Sequence, residues 1–152
     1  MLKMNFRSAL LSIVIAASLI SIPTVWSANA EAPSAEQQRL VIQVNKKDTD
    51  LQDHVLSNIV NLQKHFGVDN IEIEVVAYGP GIWFLSADSA YKPRIESLML
   101  QNVVFTACGN TLDTVEAKEG KRPTLIEGVG VAQAGIARIM ERQNQGWNYL
   151  SP

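Results

Sequence analysis

The sequence predicts an α/β protein, a mostly parallel sheet with helices on both faces. Three observations carry this prediction. Short apolar runs rich in β-branched residues recur at 39–44, 71–77 and 103–107. Longer segments with apolar residues at helical spacing separate them. Glycine or proline closes most of the runs. The order reads β-α-β-α-β-α-(β)-α-β, and strands joined through helices pair in parallel.

The first thirty of the 152 residues read as an export signal and not as fold. Lys3 and Arg7 give a positive start, residues 9–22 are apolar apart from small serines, and Pro23 ends the run. Ala28-Asn29-Ala30 has the small-x-small form of a cleavage site, so the mature chain is expected to begin at Glu31 and to reside in the periplasm. The apolar run is short of the ~20 residues a membrane-spanning helix needs. An uncleaved N-terminal anchor is the alternative reading. After cleavage no membrane association is expected.

The remaining 122 residues suit one domain with one core. Residues 31–38, with Pro33 and Ser34, read as a flexible leader, and 39–152 as the folded domain. Without Lys3 and Arg7 the 13 basic residues become 11, against 15 acidic, a charge of about −4. No basic footprint of a nucleic-acid binder is present.

The first strand is expected at 39–44, followed by a polar turn at Lys46-Lys47-Asp48. A helix should start at Asp48 or Asp50 and run to Phe66, with Leu51, Val55, Ile59, Leu62 and Phe66 as one apolar stripe and Gly67 at its end. The second strand, 71–77, alternates and then turns wholly apolar, as a strand entering a covered sheet does. Gly79-Pro80-Gly81 breaks it. Residues 82–87 form a short helix or turn, and a helix follows at 93–101 with Pro93 in its first turn. After the strand at 103–107 come a short helix at 111–117, a weak strand at 125–129 and a helix from 132 or 133 to 145. That last helix should bury Ile136, Ile139 and Met140 on one face. Residues 147–150 read as a terminal strand whose aromatics, Trp147 and Tyr149, suit core packing or a subunit contact.

Cys108 is the only cysteine, so no intramolecular disulfide can form. It stands at the C-terminal end of its strand, where open α/β sheets bind ligands. Gly109 permits a sharp turn there, and Asn110 or Thr111 can cap the helix that follows. A thiol beside helix N–H groups is favoured as thiolate. Asp113 argues the other way if it lies in the first turn of that helix. The alternative is a packed, inert thiol. Lys46 and Lys47 could share the same sheet edge. Gly79, Pro80 and Gly81 end the neighbouring strand, either as a site for close backbone approach or as a plain tight turn.

Other chemistry lacks its residues. No dinucleotide fingerprint or phosphate-binding loop occurs, and Gly128-Val-Gly130 alone is too weak. His54 and His65 lie three helical turns apart, about 16 Å, too far to share one metal ion. His54 reaches Cys108 only if the helix start folds over the carboxyl edge of the sheet. No metal and no cofactor are expected.

Three stretches together resemble the DsrE/DsrF-like, or sulfur-relay, family: Val75-Val-Ala-Tyr-Gly-Pro-Gly-Ile82, Val103-Val-Phe-Thr-Ala-Cys-Gly-Asn-Thr111, and Gln145-Gly-Trp-Asn-Tyr-Leu-Ser-Pro152. The resemblance implies a five-stranded parallel Rossmann-like sheet and a homo-oligomer, trimer or hexamer. It also implies sulfur carried as a persulfide on the matching cysteine, Cys108. Gly79, Gly81, Gly109 and Asn110 would line the pocket, and Lys46 or Lys47 would attract anionic sulfur species. With no second cysteine, exchange would use a donor or acceptor protein's thiol, or a small sulfur compound. A non-catalytic oligomeric binding or assembly module is the alternative function.

Overall fold

A computed structural model describes residues 37–152, which fall within one compact unit. The expected signal peptide and all of the leader except Gln37 and Gln38 lie outside the described residues. The elements are β1 (Gln38–Val44), α1 (Thr49–Phe66), β2 (Ile71–Ala77), a 3-10 helix (Gly79–Leu85), α2 (Lys92–Met99), β3 (Val103–Cys108), α3 (Gly109–Glu119), β4 (Gly130–Ala132), α4 (Gly135–Asn144) and β5 (Asn148–Leu150). All four strand pairings are parallel, in the order β4-β3-β2-β1-β5. No helix among the described residues is long and apolar enough to cross a membrane.

The strand order explains where the helices lie. From β1 to β4 the chain steps along the sheet in one direction, and β5 then returns to the far side of β1. Crossovers between parallel strands are right-handed, so a reversal of direction places the connecting helix on the other face. Hence α4, between β4 and β5, sits opposite α1, α2 and α3. The buried residues divide accordingly. Ile42, Val44, Ile73, Val75, Ala77, Phe105 and Ala107 pack with α1, α2, α3 and the 3-10 helix. Val41 and Val76 pack with Ile139 of α4 and with Trp147.

Local chemistry sets the long helix. Asp48 is extended and accepts a hydrogen bond from the Leu51 N–H at 2.9 Å, capping α1. Gly67, at φ +90°, closes it with its N–H on the Gln63 carbonyl. The inward stripe is Gln52, Val55, Leu56, Ile59 and Gln63. Phe66 is outside it, 36 % exposed and edge-on to His65.

Three expectations need correction. The strand expected at 125–129 forms at Gly130–Ala132 instead, pairing with Thr106–Cys108. Leu125 makes only an isolated antiparallel bridge to Ser86, and Ile126 is buried beneath the 3-10 helix with its N–H on Leu85. Gly128, at φ +89°, then redirects the chain into β4. The helix expected at 111–117 starts two residues earlier, at Gly109, so neither Asn110 nor Thr111 caps it: Cys108 is the N-cap residue. In α4, Ile139 is buried but Ile136 and Met140 are 50 % and 58 % exposed. The inward positions at 138 and 142 hold arginines, for a reason that lies in the sheet beneath.

Candidate functional site

β3 delivers Cys108 to the carboxyl end of the sheet, on the α4 side. Its side chain lies between the starts of two helices. Cys108 is the N-cap residue of α3, and the Gly135 N–H at the start of α4 donates to Sγ at 3.2 Å. As a thiol, Sγ also lies 3.9 Å from the Gln133 carbonyl, to which it can donate. The residue is buried, 6 % exposed.

These surroundings favour the anion. Burial pushes the Cys108 thiol up, but the Gly135 N–H that donates to it, together with the nearby Thr111 hydroxyl and the N–H dipoles of Thr111 and Asn110 at the start of α3, outweighs it. The net effect holds the thiol below its ordinary value. Thr111 works in two directions: its Oγ1 accepts from the Gly79 N–H at 3.0 Å while its O–H serves the sulfur. Asp113 does not oppose this from the first turn. The early start of α3 places it one turn further in, exposed and ion-paired with Arg122.

The loop before α4 is tied down by Asn110. Its N–H donates to the Gln133 carbonyl at 2.9 Å, and its Oδ1 accepts from Gln133 Nε2 at 2.7 Å. Gly109 fits against the same loop: a Cβ there would stand 3.2 Å from Gln133 Cα. Gly109 and Asn110 are thus brought to Cys108, and Gly79 joins them through Thr111. Pro80 opens the 3-10 helix and is exposed. Gly81 packs on the end of β1, where a Cβ would come within 2.2 Å of the Val44 carbonyl oxygen.

The lysines are placed elsewhere. Lys47 Nζ lies 5.7 Å over the Trp83 ring and lines a separate cavity of about 320 Å³ with Thr49, Gln52 and Tyr91. Lys46 is exposed, with its carbonyl accepting from Gln52 Nε2. Neither is among the groups acting on the Cys108 sulfur. His54 and His65 are both exposed on α1. Among the described residues no three His, Cys, Asp or Glu side chains gather in a metal-binding cluster.

Sequence reasoning missed two parts of this neighbourhood. One is Gly135, whose lack of a side chain lets α4 approach Cys108. The other is Glu74, on the same sheet face. Its side chain is fully buried and bound by Thr106 Oγ1 at 2.6 Å and by Arg138 and Arg142 of α4. Burial alone would push the Glu74 carboxyl up, but hydrogen bonds from Arg138, Thr106 and Arg142 hold it below its ordinary value. The available signal was the pair of arginines at i and i+4 in α4, which matches a single buried acceptor.

Fold and site together define a doubly wound α/β protein with one thiol set among helix N-termini at the carboxyl edge of its sheet. The model of the DsrE/DsrF-like family matches residues 38–152, and the chain belongs to that family. Solved structures similar to it include the following three. A protein of unknown function from Methanobacterium thermoautotrophicum, MTH1491, is 35 % identical with a TM-score of 0.69, covering 76 % of this chain and 99 % of its own. A conserved protein of unknown function from Bacteroides thetaiotaomicron, BT1422, is 16 % identical with a TM-score of 0.57, covering 78 % and 98 %. The ychN protein from E. coli is 13 % identical with a TM-score of 0.58, covering 76 % and 99 %. The last two show the fold alone. Comparison with curated proteins gives no match.

Proposed function

We propose that this protein is an exported sulfur carrier that holds sulfane sulfur as a persulfide on Cys108. The observation carrying this reading is the Gly135 N–H donating to Sγ at 3.2 Å, at the meeting of two helix starts. An anionic sulfur is stabilised there without a neighbouring base. Family membership supports the same chemistry. The thiolate attacks the outer sulfur of a donor persulfide, R–S–SH. A new S–S bond forms at Cys108, the donor S–S bond breaks, and R–S⁻ leaves with the electron pair. The proton stays on the transferred sulfur. Release to an acceptor thiolate runs the same exchange in reverse, so a partner or a small sulfur compound supplies the second thiol.

Export is supported by Lys3, Arg7, the apolar run and Ala28-Asn29-Ala30. A homo-oligomer is supported by Ile136, Met140 and Tyr149, large apolar side chains left exposed by the single chain, and the trimer or hexamer number comes from the family resemblance. Light scattering of the purified protein reads that assembly directly.

The decisive experiment is polysulfide treatment of the native protein, read by intact mass. Wild type gains one sulfur atom, and Cys108→Ala gains none while keeping its fold. Equal loading of the variant overturns the reading. A second reading, a binding or assembly module with an inert cysteine, is favoured by the 6 % exposure of Cys108. It requires that native Cys108 resist alkylation until the protein unfolds.

A further inference from the structure

Glu74 is a buried carboxylate in the middle of β2, and the chemistry above does not use it. Its partners come from two directions. Thr106, its neighbour on β3, donates at 2.6 Å. From α4, Arg138 Nε donates at 2.9 Å to one oxygen and Arg142 Nε at 2.5 Å to the other. Arg142 Cζ also lies over the Trp147 ring, 4.2 Å from its centroid.

These contacts fasten α4 to the sheet at its fourth and eighth residues. Its first residue is Gly135, whose N–H meets the Cys108 sulfur. A ten-residue helix behaves as a rigid rod with a rise of about 1.5 Å per residue, so fixing 138 and 142 fixes 135. The loop before α4 is held by the two Asn110–Gln133 hydrogen bonds, but along the helix itself Ile139 is the one buried apolar side chain. We propose that Glu74 is a positioning residue for Cys108. Through Arg138 and Arg142 it holds α4 where the Gly135 N–H reaches the sulfur. The proposal rests on reading Cys108 as a working thiol.

Charge alone predicts the opposite behaviour. Glu74→Gln removes a negative charge from a face that keeps two arginines, and a more positive surrounding lowers a thiol pKa. Loss of the helix anchor weakens the Gly135 hydrogen bond and raises it. The sign of the change therefore separates positioning from a simple field effect.

The test is the iodoacetamide alkylation rate of Cys108 against pH in the folded protein. The expected result for Glu74→Gln is a midpoint shifted upward, with a several-fold slower rate at pH 7. Ile59→Val, a mild core change on the opposite sheet face, is expected to leave the midpoint in place, which separates positioning from general loosening. An unchanged or lowered midpoint in folded Glu74→Gln overturns the proposal, as does an equal upward shift in Ile59→Val. If Glu74→Gln does not fold, Glu74→Asp, which keeps the charge but draws the carboxylate back by one methylene from Arg138 and Arg142, is read in the same way with the same two outcomes, since a field effect then leaves the midpoint in place. The assay needs no sulfur donor, so failure of persulfide loading in wild type is distinguishable from failure here.

Discussion

Gly135 touches Cys108 with its backbone alone. A Cβ at Gly135 would lie 3.1 Å from the Cys108 Cβ, 3.3 Å from that of Tyr78 and 3.4 Å from Val76 Cγ1. Cys108 and Val76 belong to the sheet and Tyr78 directly follows β2, so the three have little room to yield. Gly135→Ala is therefore expected to lift the start of α4 by a few tenths of an ångström and lengthen the hydrogen bond to sulfur. The expected cost is about 1–2 kcal/mol of overpacking, read by urea denaturation, with a slower alkylation of Cys108 at pH 7. A variant as stable and as reactive as wild type would show that the contact is slack.

Thr111 links two parts of the site. Its Oγ1 accepts from the Gly79 N–H at 3.0 Å, and its hydroxyl, beside the sulfur, favours the Cys108 thiolate. Thr111→Val keeps the shape and removes both bonds. Stability is expected to fall by about 1–2 kcal/mol, since a partly buried N–H loses its acceptor. The alkylation midpoint should move upward. Thr111→Ser, which keeps the hydroxyl, should retain most of the wild-type midpoint. Equal behaviour of the two variants would sink the assignment.

Gly81 offers a test of packing without chemistry. A Cβ there would approach the Val44 carbonyl oxygen to 2.2 Å, and backbone cannot swing aside as a side chain can. Gly81→Ala should cost about 3 kcal/mol or more by forcing the 3-10 helix off the end of β1. At Gly120 a Cβ would meet nothing within 4 Å, and only the φ of +72° opposes alanine. Gly120→Ala should cost about 1 kcal/mol. Thermal melts of the two variants check the ranking, and a reversed order would contradict it.

The limits of sequence reading follow the range of the interactions. β3 and Cys108 were legible because an apolar run followed by glycine is a local signal. Gly109 and Asn110 came with it, being adjacent in sequence. β4 was misplaced because Leu125 and Ile126 are apolar for another purpose, anchoring the loop beneath Leu85. The inward face of α4 was misread because Arg138 and Arg142 answer Glu74, more than sixty residues away. Glu74 itself sits in an alternating strand, where a charged residue ordinarily faces water. Lys46 and Lys47 follow β1 at the sheet edge that carries Cys108, as expected, but a side chain is held by what it touches, and Lys47 lies over Trp83.

The lowered thiol pKa also makes stability depend on pH. The unfolded thiol titrates near its ordinary value, taken as 9.0, and the folded one lies below it. As pH rises through the folded value, the native state loses its proton first. The unfolded state then binds more protons, so stability rises with pH until both forms are ionised above 9.0. Going down, this contribution disappears once pH falls through the folded value. Cys108→Ala has no such group. The difference in unfolding free energy between wild type and Cys108→Ala should therefore grow from mildly acidic pH toward pH 9 and then level off. Urea titrations of both proteins at a series of pH values measure it. A flat difference across that range would mean that the hydrogen bonds to Sγ do not favour the thiolate, and the carrier reading would lose its main support.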